Sequence, residues 1–433
     1  MSLEKSLKKF RKWLGIFGPG VVTGAADDDP SGIATYTQTG AQFGYGQLWT
    51  SFLILPFMTA VQEACARIGA VTGKGLAAVI KQHYNRRLLI AAVSLVVIAN
   101  TINIGADLGA MAEAAKLIVP VNFTILALSF TSLILILEIF TSYRVYSKIL
   151  KWLMLALLAY PITVFLVHQP WLTLLKATFL PHFKLDFAFF FIITGVLGTT
   201  ISPYMFFWEA SEEAEEERSR HLLRRHSWPR GIGQRLKSLR WDNFLGMLSS
   251  EIVAWCVIVV AATVLHSHGV TNIATAADAA RALEPLVDTF PHAGLWSKII
   301  FASGIIGLGF LAVPILSGSA SYALSEAVNW REGFSLKLKR AHGFYGVITI
   351  ATLIGLIINF LGFDPIKALV FTAVLNGVVS VPLLFIIARM ARNREIMGEY
   401  RSGFWSNTLI WLTFLIMTAS AGIMFITLGK KLF

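Results

Sequence analysis

The run Asp27-Asp28-Asp29-Pro30-Ser31-Gly32 lies inside an apolar stretch with no other charge between Lys12 and Glu63. Carboxylates in hydrocarbon are costly, and a chain that keeps them there turns them toward a protein interior or a water-filled cavity. Pro30 lacks a backbone donor and disfavours helix at Asp29, while Gly32 costs about 1 kcal/mol in a helix interior relative to Ala. The helix is therefore expected to open here and to expose carbonyl oxygens beside Asp29. Unwound backbone at membrane depth is tolerated only when buried in protein or lining a cavity, and carbonyls beside a carboxylate make an oxygen-rich cation site. The plainer alternative is a Pro/Gly turn between two short helices at the membrane surface.

The rest of the chain fits a membrane setting. Hydrophobic residues make up 55% of the 433 and charged residues only 14%, whereas soluble domains carry roughly a quarter charged residues. Apolar spans fall near 15–43, 47–69, 88–118, 121–142, 145–168, 186–211, 240–267, 295–325, 343–361, 364–392 and 405–429, which gives eleven helices with the first and sixth interrupted. The basic start leads into the first span without a small-residue cleavage site, so that span is expected to stay as a helix. Threading the spans alternately puts the great majority of the 37 Lys and Arg on the side of the N-terminus. That predicts a multi-pass protein of a cell (inner) membrane with a cytoplasmic N-terminus and its C-terminus outside. The net charge of +12 is explained by these clusters between spans, with no aromatic pattern of the kind that binds nucleic acid. Cys65 and Cys256 are isolated in apolar sequence and read as buried thiols.

A second interruption falls in the sixth span, at Gly198-Thr199-Thr200-Ile201-Ser202-Pro203-Tyr204-Met205. Pro30 and Pro203 thus occupy corresponding places in two sets of five helices, 15–168 and 186–392, with 405–429 as an extra one. Because five is odd, the second set enters from the opposite side, and paired interruptions in an inverted repeat point to a substrate site at the midplane. A simple proline kink is the alternative for the sixth span. Thr199 and Thr200 are placed to back-bond to the preceding turn and ease the break. Asp107 lies midway along the third span as a site or pathway residue, while Glu113 is off its face and nearer the outer end. Asn376 and Ser380, four apart, share a face that would hydrogen-bond either hydrated substrate or a neighbouring helix. The acidic run Glu209 to Glu217 reads as a solvated helix end or a weak cation attractor, and the basic run after it completes a charged, flexible cytoplasmic loop over 212–240 lying against anionic lipid.

These residues resemble a known family. Gly18-Pro19-Gly20-Val21-Val22, Asp29-Pro30-Ser31-Gly32 and Gly40-Ala41-Gln42-Phe43-Gly44-Tyr45-Gly46 resemble the first helix of the Nramp metal-ion transporters. Arg67 to Lys74, Ala106-Asp107-Leu108, Ala277-Asp278-Ala279 and Leu283-Glu284-Pro285-Leu286 look like later family elements in the right order. The resemblance implies an all-α integral membrane protein with an APC-type inverted repeat of five plus five helices and an eleventh helix. Members that carry Mn and Fe use an Asp and an Asn of helix 1, the Met of a Met-Pro-His motif in helix 6, and backbone carbonyls. Here Gly32 stands in place of that Asn, Ser202 in place of the Met and Tyr204 in place of the His, and Ala110 stands where proton-coupled members have Glu. Without the thioether the site loses its bias toward soft metals, and a wider all-oxygen pocket suits Mg, which keeps several waters. These departures resemble the Nramp-related magnesium transporter branch, although Met205 keeps Mn in play.

The expectation is therefore uncoupled uptake of Mg2+ and Mn2+ as transported substrates, with no cofactor, by halves that rock around the ion. Asp29 would bind the ion, with Gly32, Ser202 and the carbonyls near Ala26, Thr199 and Thr200 completing its surroundings, and with Asp28, Tyr204, Asp107, Asn376 and Ser380 around the site or along its pathway. The alternatives are a proton-coupled Mn/Fe symporter and, from another class, an intramembrane aspartyl hydrolase in which Asp29 and Asp107 share a proton. The oligomeric state is not legible.

Overall fold

A computed structural model describes residues 24, 27–141, 157–223, 232–288 and 292–432 of the chain. Residues 15–23, 25 and 26 of the first expected span, half of the span 145–168, and with them Ala26 among the site residues lie outside this set. The described helices are α1 (Pro30–Phe43), α2 (Trp49–Thr72), α3 (Leu76–His83), α4 (Arg86–Lys116), α5 (Phe123–Phe140), α6 (Ala159–Leu166), α7 (Trp171–Phe179), α8 (Phe187–Thr200), α9 (Pro203–Leu223), α10 (Ile232–Val264), α11 (Ala276–Arg281), α12 (Ala293–Val328), α13 (His342–Ile358), α14 (Pro365–Arg392), α15 (Arg394–Met397) and α16 (Phe404–Leu432). Among the described residues there is no strand, and nine helical segments are long and apolar enough to cross a bilayer. The first and fifth expected spans are described only in part, over 24 and 27–43 and over 157–168.

Both expected breaks are present. Asp28 and Asp29 leave the helix before α1 starts at Pro30, whose fixed φ suits a first helical position. α8 ends at Thr200, Ile201 turns out of helical geometry (φ −119°, ψ 62°), and α9 restarts at Pro203. The contacts have the symmetry of an inverted repeat. α1 packs on α10 as α9 packs on α2, so each broken helix lies on the second helix of the other set, while the third helices, α4 and α12, pack on one another. Glycines set these approaches: a Cβ on Gly69 would run into the Ala210 carbonyl, and one on Gly40 into the Ile258 carbonyl.

The charged segment 212–240 departs from expectation. Over its described residues it is helix, 212–223 at the end of α9 and 232–240 at the start of α10, while 224–231 lie outside the described residues. Nor is the acidic run a solvated end. Glu213 is fully buried and paired with Arg235 at 2.6 Å, and Arg235 also reaches Glu216 at 3.3 Å and Glu217 at 2.9 Å. Glu215 accepts from the Tyr322 hydroxyl and from the Ser335 backbone N–H. Buried carboxylates are tolerable because these donors compensate them, and the segment stays helical because its hydrogen bonds bind it to neighbouring helices. Arg218 bridges the Gly73 carbonyl at the end of α2 to Glu332 beyond α12, and Arg67 reaches the Tyr400 carbonyl. Burial raises the Glu332 carboxyl above its ordinary range while Arg218 pulls it back down. The ends of α2, α9 and α12 and the turn at Tyr400 therefore share one face, as the alternate threading requires. Cys65 and Cys256 are free and buried.

Candidate cation site

Asp29 caps α1. Its Oδ1 accepts from the Gly32 backbone N–H at 2.7 Å and from the Ser31 hydroxyl at 2.6 Å, so one carboxylate oxygen is fixed by the start of its own helix. A cap of this kind contributes about 1 kcal/mol, and the helix N-terminus favours the negative charge. Oδ2 points the other way and accepts from Asn103 Nδ2 on α4 at 3.3 Å. Asn103 sits one turn before Asp107, so both face the same neighbour. Asn103 Oδ1 and both Asp107 oxygens are buried without a hydrogen-bond partner, and the two carboxylates, Asp107 and Asp29, are close enough to interact electrostatically. Buried polar atoms are rarely left unpaired, and such orphans mark a place for water or an ion.

The second break lies opposite. The Ser202 hydroxyl is 2.6 Å from the carbonyls of both Gly198 and Thr199, and the Ser380 hydroxyl donates to the Ile201 carbonyl at 2.6 Å. Thr199 and Thr200 bond back to the Val196 carbonyl at 3.0 and 2.9 Å, the back-bonding expected of them. The Thr199 hydroxyl also lies 3.2 Å from the Tyr36 hydroxyl on α1, and Tyr204 is buried within electrostatic reach of Asp29 and Asp107. The two broken helices thus meet around one buried region. α14 closes it: a Cβ on Gly198 would run into the Ala373 carbonyl and the Gly377 backbone, so α8 and α14 touch through their main chains. Ser380 bonds between helices, and both polar atoms of buried Asn376 lack a partner.

The groups that meet here are carboxylate, amide and hydroxyl oxygens, which select hard cations. Among the described residues no three His, Cys, Asp or Glu side chains converge here. Sequence reasoning missed Asn103, although its place four residues before Asp107 in an apolar span was the available signal. It also missed Glu251, buried in α10, and Glu138 in α5, which accepts from Ser317 at 2.6 Å. Asp28 is turned toward Ser250 of α10.

Two broken helices of an inverted repeat, meeting at buried carboxylates within the membrane, define a broken-helix secondary transporter. The chain belongs to the Nramp family: the model described as natural resistance-associated macrophage protein-like matches residues 20–427. It is 28% identical over 418 residues to the divalent metal cation transporter MntH of Klebsiella pneumoniae strain 342, covering 94% of this chain and 93% of that one. Its fold is similar to that of the Eremococcus coleocola manganese transporter, with a TM-score of 0.75 at 15% identity over 95% of this chain and 86% of that one. MhsT, solved with L-phenylalanine, is a more distant structural relative, with a TM-score of 0.61 at 12% identity over 94% of this chain and 98% of that one.

Proposed function

We propose that this chain carries a divalent cation across a cell membrane by alternating access, holding the ion largely hydrated at Asp29 between the two broken helices. The observation that carries the reading is the Asp29 carboxylate, anchored through one oxygen by its helix start and facing the unpartnered oxygens of Asn103 and Asp107 through the other side. The cation class follows from the relatives, named as divalent metal cation and manganese transporters. The ion is substrate and not cofactor, and the other partner is the lipid bilayer.

The finer assignment is uncoupled uptake of Mg2+, with Mn2+ also carried, and a cytoplasmic N-terminus. An oxygen-lined region around Asp29 supports a hydrated hard ion. Tyr204 supports the absence of coupling, because a phenol does not titrate near neutral pH where an imidazole would. Membrane potential alone supplies about 4.6 kcal/mol per 100 mV for a divalent ion, twice the single-charge value. Orientation is supported by the shared face of the basic loops. The hydrolase alternative loses its basis in a chain of a transporter family.

Uptake into proteoliposomes with an internal pH dye tests this reading. Mg2+ and Mn2+ should enter without internal acidification. Acidification in step with Mn2+ would establish proton-coupled symport instead, and absence of flux for both ions would refute the transport assignment.

A further inference from the structure

α10 touches the first helix backbone to backbone on the N-terminal side of its break, where a Cβ on Gly24 would collide with the Gly246 main chain. One turn along both elements, the Ser250 hydroxyl lies 2.6 Å from Asp27 Oδ2 and 3.1 Å from Asp28 Oδ1. A hydroxyl has a single proton, so with both carboxylates ionised it satisfies one of them and leaves the other contact as oxygen against oxygen. Asp27 Oδ1 is buried without a partner. The next residue, Glu251, is 1% exposed, lacks a partner on both carboxylate oxygens, and interacts electrostatically with Asp27 and then Asp28. Among the described residues none of the three carboxylates forms an ion pair with Lys, Arg or His.

We propose that Asp27, Asp28 and Glu251, gathered around Ser250, form a second cation position that takes a hydrated divalent ion after it leaves Asp29. Each unpaired buried carboxylate costs several kcal/mol, and removing one member of a compensated cluster is strongly unfavourable. A doubly charged ion offsets that cost where the protein offers only one hydroxyl proton. Among the described residues no three His, Cys, Asp or Glu side chains are close enough to hold a bare ion, so the ion proposed here is a hydrated one. The cluster sits directly before the break that Asp29 terminates, so an ion released toward the N-terminal side of the first helix meets it next. Two positions in series let an ion leave the tighter one without crossing bare hydrocarbon, as multi-site conduction requires.

The inference rests on the reading of Asp29 as a cation ligand, and the test separates the two. Mn2+ is titrated by equilibrium binding to the full chain in nanodiscs, with ions per chain as the readout. The parent should bind two ions, Glu251→Gln one, Asp29→Asn one, and the double variant none. In Glu251→Gln the remaining ion also reports an intact fold; if both ions are lost, Asp27→Asn is counted in the same way and should keep one. A parent that binds a single ion, lost in Asp29→Asn and unaffected by Glu251→Gln or Asp27→Asn, overturns the second position and leaves the first standing. A parent that binds none overturns both.

Discussion

Asp29 has two duties at once, and a substitution can divide them. Its Oδ1 caps α1 while the carboxylate as a whole supplies charge at the break. Asn is as good a helix cap as Asp, so Asp29→Asn should leave thermal stability within about 1 kcal/mol of the parent and still abolish uptake, whereas Asp29→Ala loses both. Proteoliposome uptake read beside a thermal melt checks this, and an Asn variant that transports at the parent rate would remove the charge from the account. Asn103 acts through Asp29 by fixing Oδ2 and by offering its own unpartnered Oδ1. By analogy with outer-shell partners of metal ligands, Asn103→Ala should weaken apparent ion affinity by about ten- to a hundredfold, seen as a raised half-saturating concentration. The sequence disclosed Asp29 through the cost of a carboxylate in an apolar run, but Asn103 carries no charge and stands out only once α4 is laid against the break.

At the scale of the helix, the freed backbone of the second break is met by a hydroxyl of a neighbouring element. The Ile201 carbonyl depends on Ser380 of α14, so Ser380→Ala should destabilise the protein by about 1 to 3 kcal/mol, the usual cost of orphaning a buried polar group. Gly198→Ala should cost about 1 to 3 kcal/mol by overpacking α8 against α14, measurable as a lowered melting temperature. A melt unchanged in either variant would show that the α8 and α14 contact is looser than described. The existence of both breaks was legible, since an X-Pro step next to glycine or threonine limits the backbone locally. The partner that satisfies the second was not, because α14 lies more than 150 residues after α8 along the chain and only packing brings them together.

For the molecule as a whole, the proposed alternating access requires the site to open to one side at a time, and the face that carries Arg235, Arg218 and Arg67 is bridged by their carboxylate and carbonyl partners. Arg235→Gln would leave Glu213 buried without its counter-charge, so this face should open more readily, with faster labelling of cysteines introduced along the end of α9. Labelling at the parent rate would mean the pairs hold structure and not a gate. The sequence by itself determined that the chain spans a membrane many times, that its first and sixth spans are broken, and that the two halves enter from opposite sides. These follow from hydropathy, proline chemistry and the alternation of basic segments, all of which act over short stretches of chain. Tertiary structure alone decided that the acidic end of α9 is buried and paired, that Asn103 holds Asp29, and that Asp27 and Asp28 meet Ser250 with Glu251 beside them. The physical reason is that the worth of a polar group in low dielectric depends on which partner stands within a few ångströms, and those partners come from helices far apart in sequence.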